Sequence, residues 1–378
     1  MEAWMLVLIT FALILLLLAS GMWISGALAI VGFAVLLVFV PGNREGLVAM
    51  LAFNAINIYT YTMLPLFIFM GDIILRSGLS AKLYQGATAW VGPLPGGLLH
   101  TNIAACAMFS AVSGSSMATA ATIATVAIPE LEKRGYNRKL LLGSLAAGGT
   151  LGILIPPSIG LVIYGTFVEE SIGRLFMAAV IPGIILAALF MAYIGIATLI
   201  NPSLAPDRLK FSLKAMAAST LDLLPLVVLI FLVLGTIYLG LATPTESAAM
   251  GAVMSVALCA IYRRLTFDIF KQAALTALKI TCWAMLIVIG AQVLSAGLAY
   301  MRVPAQLAAL VASLEVPRMV IFALVVLLYI ILGMFIEAIS MMLLTLAVIY
   351  PVMMALGFDS IWFGVMMVIF IEMGQITP

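Results

Sequence analysis

The stretch "TLGILIPPSIG", residues 150–160, interrupts the apolar segment 140–167 with two glycines and two adjacent prolines. Glycine destabilises a helix interior, and proline breaks it because proline has no N–H donor and its ring clashes with the preceding turn. The segment is nevertheless long enough to cross a bilayer. It predicts a spanning helix that unwinds over residues 148–156 and begins again with Pro157 in the first turn of a second half-helix.

The composition excludes a soluble protein. The chain has 378 residues, 65% of them hydrophobic and 8% charged, with a mean hydropathy of +1.29. Soluble domains are about half apolar and a quarter charged. We therefore expect an all-α polytopic membrane protein. The net charge of +2 does not suggest a nucleic-acid partner. Three isolated cysteines and a single histidine indicate neither a disulfide framework nor a thiolate or histidine metal site, and no cofactor is expected.

Apolar segments outline the path through the membrane, since a spanning helix needs about 20 apolar residues. Candidate spans are 3–20, 23–40, 61–77, 140–167, 175–200, 221–239, 243–262, 280–300 and a last one from about residue 360. Regions 94–134 and 317–356 each contain two shorter apolar limbs, joined by "AVSGSSMA" and "MFIEAIS". They predict re-entrant helical hairpins, which are tolerated only inside protein or beside a watery cavity. Segments 44–59 and 264–277 are expected to be helices near the interface.

Lysine and arginine accumulate on the cytoplasmic side of membrane proteins. If the N-terminus lies outside and both hairpins leave on the side they entered, 13 of the 17 basic residues lie inside. Those 13 are Arg76, Lys82, Lys133, Arg134, Arg138, Lys139, Arg208, Lys210, Lys214, Arg263, Arg264, Lys271 and Lys279. The split predicts that the first hairpin opens to the cytoplasm and the second to the exterior.

The two halves of the chain carry glycines and prolines at corresponding positions. A shift of 222 residues aligns Pro129, Gly135, Gly152 and Pro156 with Pro351, Gly357, Gly374 and Pro378. A shift of 219 aligns Gly21, Gly32, Gly71 and Gly78 with Gly240, Gly251, Gly290 and Gly297. Five crossings separate corresponding helices, so the second repeat is inverted, and "EMGQITP" at 372–378 is the second helix break. Inverted repeats with broken helices are typical of secondary transporters; the alternative is chance agreement of common glycines.

Hairpin tips and helix breaks are predicted to meet near the middle of the membrane. Freed carbonyls there can bind a monovalent cation, and half-helix N-termini can bind an anion. Additional oxygen ligands are predicted at Ser113, Ser115, Ser116, Thr119, Glu337, Ser340, Thr345, Gln375 and Thr377. Hard oxygen ligands favour Na⁺ over a transition metal. The alternatives are that the small residues at 110–120 serve helix packing and that Glu337 lies in a loop at the water interface.

Four motifs carry a resemblance to a known family: "SGSSMATAATIATVAIPELEKRGYN", "GTLGILIPPSI", "GLATPTESAAMGA" and "GMFIEAISMMLLTLAVIYPVMMALGFDSIWFGV". Over essentially its whole length the chain resembles the large membrane subunit of tripartite ATP-independent periplasmic (TRAP) transporters. The resemblance implies an elevator-type importer of small organic acids, driven by a Na⁺ gradient across the bacterial inner membrane. It also implies two partners, a small four-helix membrane subunit and a soluble periplasmic receptor.

The resemblance also assigns two half-sites for ion and substrate. The first contains Ser113, Gly114, Ser115, Ser116, Gly148, Gly149, Gly152, Pro156 and Pro157, beside Thr119. The second contains Glu337, Ala338, Ser340, Gly374, Gln375, Thr377 and Pro378, beside Thr345. Family members continue past "GQITP" with a second proline and another half-helix, so we expect the second broken helix to be incomplete in this sequence.

The expected organisation divides the chain into five parts. They are first-repeat scaffold helices and arm (1–79), first-repeat transport part (80–170), connecting span and cytoplasmic loop (171–220), second-repeat scaffold helices and arm (221–299) and second-repeat transport part (300–378).

Three other functions compete with this interpretation. An intramembrane serine protease would use "SGSS" with His100 as its base, but no partner motif accompanies them, so no enzyme is expected. A passive channel would not need inverted repeats. A stand-alone Na⁺- or H⁺-coupled anion carrier of related architecture differs from the tripartite system only by the motifs.

Overall fold

A computed structural model describes residues 3–206, 211–313 and 316–377. These residues form seventeen α-helices and two short 3-10 helices, and this described part contains no β-strand. Six helical segments in it are long and apolar enough to cross a bilayer, or seven when the helices on either side of residues 57–58 count as one span. The all-α polytopic prediction is confirmed.

The first part of the chain contains ten helices. They are α1 (Ala3–Ala19), α2 (Ile24–Phe39), α3 (Arg44–Ile56), α4 (Met63–Arg76), α5 (Leu79–Val91), α6 (Leu98–Ser113), α7 (Ser116–Lys133), α8 (Arg138–Leu154), α9 (Ile159–Phe167) and α10 (Ile172–Ile200). The 3-10 helices are Tyr59–Thr62 and Pro202–Leu204.

Seven helices follow in the second part. They are α11 (Leu213–Tyr238), α12 (Pro244–Ile261), α13 (Phe267–Tyr300), α14 (Val303–Ser313), α15 (Arg318–Gly333), α16 (Ala338–Ala355) and α17 (Ser360–Ile376). The pairs α6–α7 and α15–α16 are the two predicted helical hairpins. Helices α5 and α14 occupy matching places before the hairpins and were not anticipated from the sequence.

The segment 264–277 differs from the prediction. Residues 264–277 were expected to form an interfacial helix separate from a span at 280–300, but α13 runs unbroken from Phe267 to Tyr300. The reason is local, because residues 267–289 contain no glycine or proline. The equivalent arm in the first half is interrupted after α3, at residues 57–58.

The same corner is built twice, after α7 and after α16. Both helices have 18 residues and carry a proline in their last turns, Pro129 in α7 and Pro351 in α16. Each is followed by a glycine with positive φ, Gly135 at +75° and Gly357 at +78°. The next helix then starts with a side-chain cap in each case: the side-chain oxygen of Asn137 accepts from the N–H of Leu140, and that of Asp359 accepts from the N–H of Trp362. The prolines and glycines shared by the two halves therefore form the same local structure in both places.

The chain divides into two compact units. One consists of Met1–Tyr61 with Lys279–Pro378, and the other of Thr62–Leu278. In the second unit α12 packs on α4 and α11 packs on α5. In the first unit α1 packs on α14, and a Cβ added at Gly32 of α2 would lie 2.6 Å from the N atom of Leu294 in α13. Each unit thus combines the opening helices of one half with the hairpin of the other half.

Candidate functional site

The tip of the first hairpin is a two-residue turn that requires glycine. Between α6 and α7, Gly114 has φ +61°, a conformation that residues with a side chain rarely adopt. A Cβ at this position would also lie 2.8 Å from the carbonyl oxygen of Pro157. Ser115 then caps α7, because its Oγ accepts from the N–H of Ala118 at 3.4 Å. The tip is therefore fixed in shape by both its backbone and its neighbours.

Oxygen atoms cluster beside this tip. The hydroxyls of Ser113 and Thr119 lie 2.7 Å apart, and both side chains are buried. Ser113 Oγ also lies 3.5 Å from the carbonyl oxygen of Ser115. The structure thus brings together three of the oxygen-bearing residues that the sequence predicted for the first half-site.

The broken helix lies against the same tip. Helix α8 ends at Leu154 and α9 begins at Ile159, capped by Ser158, whose Oγ accepts from the N–H of Leu161 at 3.2 Å. The N–H of Ile159 donates to the carbonyl oxygen of Gly114 at 3.4 Å. The predicted break is therefore present, and one hydrogen bond joins it directly to the hairpin.

The prolines remove donors at this break. Because proline has no N–H, Pro156 cannot donate to the carbonyl of Gly152 as a helical residue would. The carbonyl of Ile153, which loses Pro157 as a donor, accepts a hydrogen bond from the Ser158 hydroxyl instead. The carbonyls at the end of α8 are thereby released from the helical pattern, as a cation-binding break requires.

The extent of the break differs from the prediction in two ways. Unwinding was expected over residues 148–156, but α8 continues to Leu154, so Gly148, Gly149 and Gly152 are helical. Pro157 was expected in the first turn of the next half-helix, but α9 begins two residues later. The physical reason is that glycine destabilises a helix interior less than proline does. An interior glycine costs about 1 kcal/mol of helix stability, whereas an interior proline costs about 3 kcal/mol.

Three of the four glycines of α8, Gly148, Gly149 and Gly152, permit close packing instead. A Cβ at Gly152 would lie 2.5 Å from the carbonyl oxygen of Ser115. A Cβ at Gly149 would lie 2.6 Å from the Cβ of Ala120, and one at Gly148 would lie 2.9 Å from Cys106 Sγ. One face of α8 therefore rests against both limbs of the first hairpin, which larger residues would prevent.

The second hairpin has a charged cap. Four residues, 334–337, separate α15 from α16. Glu337 Oε2 accepts from the N–H groups of Ile339 at 3.1 Å and Ser340 at 3.3 Å. Ala338 and Ser340 are buried in the first turn of α16. In the shift of 222 residues Glu337 is the equivalent of Ser115, so both hairpins cap their second limb at the same position, one with a carboxylate and the other with a hydroxyl.

Thr345 lies away from the tip. Its hydroxyl is 2.6 Å from the hydroxyl of Tyr329 and donates to the carbonyl of Met341. Eight residues separate Thr345 from Glu337, which is about 12 Å along a helix. The structure therefore shows Thr345 joining the two limbs of the hairpin.

The end of α17 reaches α15. A Cβ at Gly374 would lie 2.8 Å from the Cα of Gly333 and 2.8 Å from the carbonyl oxygen of Tyr329. Gln375 lies in the last turn, and Thr377 ends the helix with its hydroxyl donating to the carbonyl of Met373 at 2.6 Å. Pro378 lies outside the described residues. Each half-site is thus formed within one compact unit, and the meeting of the two half-sites stays a prediction.

Two features of the site region were missed from the sequence. Glu372 in α17 is only 2% exposed, and an acid within an apolar helix is a signal that sequence reasoning can use. The second is a buried network: the hydroxyl of Tyr84 donates to Asn102 Oδ1 at 2.8 Å, and Asn102 Nδ2 donates to Ser144 Oγ at 2.9 Å. It joins α5, α6 and α8, and nothing in the spacing of these residues along the chain indicates it.

The protease alternative is not supported by the geometry. His100 and Ser113 are both in α6, thirteen residues apart, which is about 20 Å along a helix. His100 Nε2 forms its hydrogen bond with the carbonyl oxygen of Pro95 at 2.5 Å. A general base must lie within hydrogen-bonding reach of the nucleophile, and this histidine does not.

Comparison with known proteins shows the family to which the chain belongs. The family model for the DctM component of the tripartite ATP-independent periplasmic transporters matches residues 11–378. The C4-dicarboxylate TRAP transporter large permease protein DctM of Pseudomonas aeruginosa is 35% identical over 94% of this chain and 81% of its own length. The DctM protein of Rhodobacter capsulatus is 32% identical over 98% of this chain and 87% of its own length. The sialic acid TRAP transporter large permease SiaM of Vibrio cholerae is 31% identical over 96% and 84%.

These relatives are permease subunits of transporters and not enzymes, which confirms that no enzyme should be expected here. The membrane helices, the hairpin packed on a broken helix and the match over almost the whole chain all lead to one assignment. The chain belongs to the DctM component family of the tripartite ATP-independent periplasmic transporters, as a multi-pass large permease subunit.

Proposed function

We propose that this permease carries small organic acids across the bacterial inner membrane by Na⁺-coupled alternating access of the elevator type. The observation that carries the proposal is the hairpin tip at Gly114 hydrogen-bonded to the break between α8 and α9. Such an arrangement places non-helical backbone inside a membrane protein, where it is tolerated only when it lines a cavity or is enclosed by protein.

Sodium is the coupling ion in this proposal. The first half-site offers the hydroxyls of Ser113 and Thr119 and the released carbonyl of Gly152, all of which are hard oxygen donors. The second half-site offers the carboxylate of Glu337 and the backbone at the end of α17. These donors support a bare monovalent cation at each hairpin rather than a tightly held transition metal.

The organic acid is proposed to bind nearer the first hairpin. Relatives are named for C4-dicarboxylates, isethionate, sialic acid and 2,3-diketo-L-gulonate, all of which are acids. The N-terminus of α7 is capped by the neutral Ser115, which leaves its positive dipole end available to an anion, whereas Glu337 already neutralises the N-terminus of α16. The difference in caps supports an anion at the first tip and a cation at the second.

We also propose a movement and two partners for this permease. The repeated corners support two repeats, which we propose to be inverted, with a periplasmic N-terminus. Residues 80–170 and 300–378 would move together as a transport body against the remaining scaffold helices. A small membrane subunit and a soluble periplasmic receptor would complete the tripartite transporter, with the receptor delivering the solute.

The test is uptake of a panel of labelled organic acids into liposomes that contain the permease with its small subunit. We expect uptake that requires an inward Na⁺ gradient and the receptor. Dissipating the Na⁺ gradient with an ionophore is the matched control, and it should abolish accumulation. Accumulation without the receptor would favour a stand-alone carrier, and flux that only equilibrates the solute would favour a passive channel.

A further inference from the structure

A cleft lies between α8 and α10 on the side of α8 that faces away from the hairpin tip. It has a volume of about 700 Å³ and lies within one compact unit. One wall is formed by α8 from Lys139 to Ala147 and the other by α10 from Leu186 to Ala197. Both helices belong to candidate membrane spans. In the transport proposal α8 belongs to the transport body and α10 to the remaining helices, and no ion or substrate is placed in this cleft.

The length of the cleft matches one leaflet of a bilayer. The α10 wall, from Leu186 to Ala197, covers eleven helical steps, or about 17 Å. A bilayer has a hydrocarbon core of about 30 Å, so the cleft is as deep as one layer of acyl chains. A single chain that enters beside Lys139 would end near Ala147.

The lining suits an apolar occupant. Leu189 and Tyr193 on the α10 wall are 59% and 66% exposed and flank the opening. Ser144 on the α8 wall has its hydroxyl occupied, because it accepts from Asn102 and donates to the carbonyl of Leu141. Gly143 leaves open space, since a Cβ added there would meet no atom within 4 Å. The walls therefore offer little to water and leave room for a hydrocarbon chain.

The charge at the cleft entrance selects the headgroup. Lys139 lines the cleft at its open end and is exposed. Among the described residues that line the cleft Lys139 is the basic one, and the neighbouring Arg138 pairs with Glu132 at 3.5 Å. Basic pockets between membrane helices favour anionic lipid headgroups. We propose that the cleft binds one acyl chain of an anionic phospholipid, with the lipid phosphate at Lys139.

The experiment measures lipid retention by native mass spectrometry. The purified, delipidated transporter is mixed with equal amounts of phosphatidylglycerol and phosphatidylcholine that carry the same acyl chains. We expect one phosphatidylglycerol to be retained in preference to phosphatidylcholine. Gly143→Leu, which fills the cleft, should lower retention at least about tenfold, and Lys139→Gln should lower the preference for phosphatidylglycerol about fivefold.

Gly235→Leu is the matched control, because Gly235 is also a helical glycine with open space around its Cβ but does not line the cleft. Ala147→Leu is a second cleft-filling variant, and thermal unfolding of every variant verifies folding. If both lipids are retained equally and Gly143→Leu does not change their retention, the bound lipid is only the ordinary lipid annulus and the proposal is overturned. Loss of a bound protein subunit in Gly143→Leu without any change in lipid would also overturn it, in favour of a polypeptide occupant.

Discussion

Gly114 illustrates how one residue can carry two constraints. Its φ of +61° requires glycine for backbone reasons, and the carbonyl oxygen of Pro157 excludes a side chain for steric reasons. The family resemblance implied this glycine as a site residue, through the motif that begins with "SGSS". Its contact with Pro157 could not be predicted, because it depends on the path of a helix more than 40 residues further along the chain.

Gly114→Ala should therefore inactivate the transporter. The left-handed backbone costs about 1–2 kcal/mol for an alanine, and the tip must also move away from Pro157. We expect Na⁺-driven uptake to fall at least about tenfold, together with a lower melting temperature. Gly235→Ala, at an open helical position, should leave uptake near the unmodified level. Normal uptake by Gly114→Ala would show that the tight tip is not needed for transport.

Glu337 has two separable roles, as a helix cap and as a proposed cation ligand. Glu337→Ser keeps a capping side chain like that of Ser115 but removes the charge. We expect correct folding and an increase of about tenfold in the Na⁺ concentration for half-maximal uptake, the size expected when a charged contact worth about 1.4 kcal/mol is lost. The Na⁺ dependence of uptake measures this. An unchanged Na⁺ dependence with a lower melting temperature would leave only the capping role.

Proline and glycine act differently at the scale of the helix. Pro182 in α10 and Pro225 in α11 lie within continuous helices, as membrane helices tolerate when neighbouring groups satisfy the freed backbone. The adjacent Pro156 and Pro157 end α8, because two consecutive donors are missing. The sequence located this break from the double proline but overestimated its length, since the glycines before it serve contacts with the hairpin.

Replacing both prolines tests the break. Pro156→Ala together with Pro157→Ala should extend the helix, because alanine is favoured over proline by about 3 kcal/mol at an interior position. We expect membrane insertion and thermal stability to be retained while uptake is lost. Pro182→Ala is the matched control and should transport. Uptake at the normal rate by the double variant would show that transport does not need the broken helix.

The two compact units determine which helices an elevator movement would have to separate. In one unit α11, from the proposed scaffold, packs on α5, from the proposed transport body, and a Cβ at Gly86 would lie 2.6 Å from Leu223 Cδ2. If the transport body moves, this contact must break during each cycle. A rigid permease would keep it.

Crosslinking distinguishes the two cases. In a protein without its native cysteines, Gly86→Cys with Leu223→Cys should lose uptake when the thiols are joined and regain it on reduction. The control pair Thr236→Cys with Ser247→Cys lies within the proposed scaffold, where the two hydroxyls are 2.9 Å apart, and joining it should not affect uptake. Undiminished uptake in the joined Gly86–Leu223 pair would contradict the elevator movement.

The sequence by itself determined the membrane class, both hairpins, the broken helix and the repeated corners. These features depend on local properties: apolar length, the missing N–H of proline and the backbone freedom of glycine. Only the tertiary structure decided that α8 stays helical through its glycines, that Thr345 binds Tyr329, and that Asn102 joins three helices. It also decided the burial of Glu372. Such contacts arise between residues that are distant in the chain, so they are determined by which helices become neighbours and how closely their backbones approach.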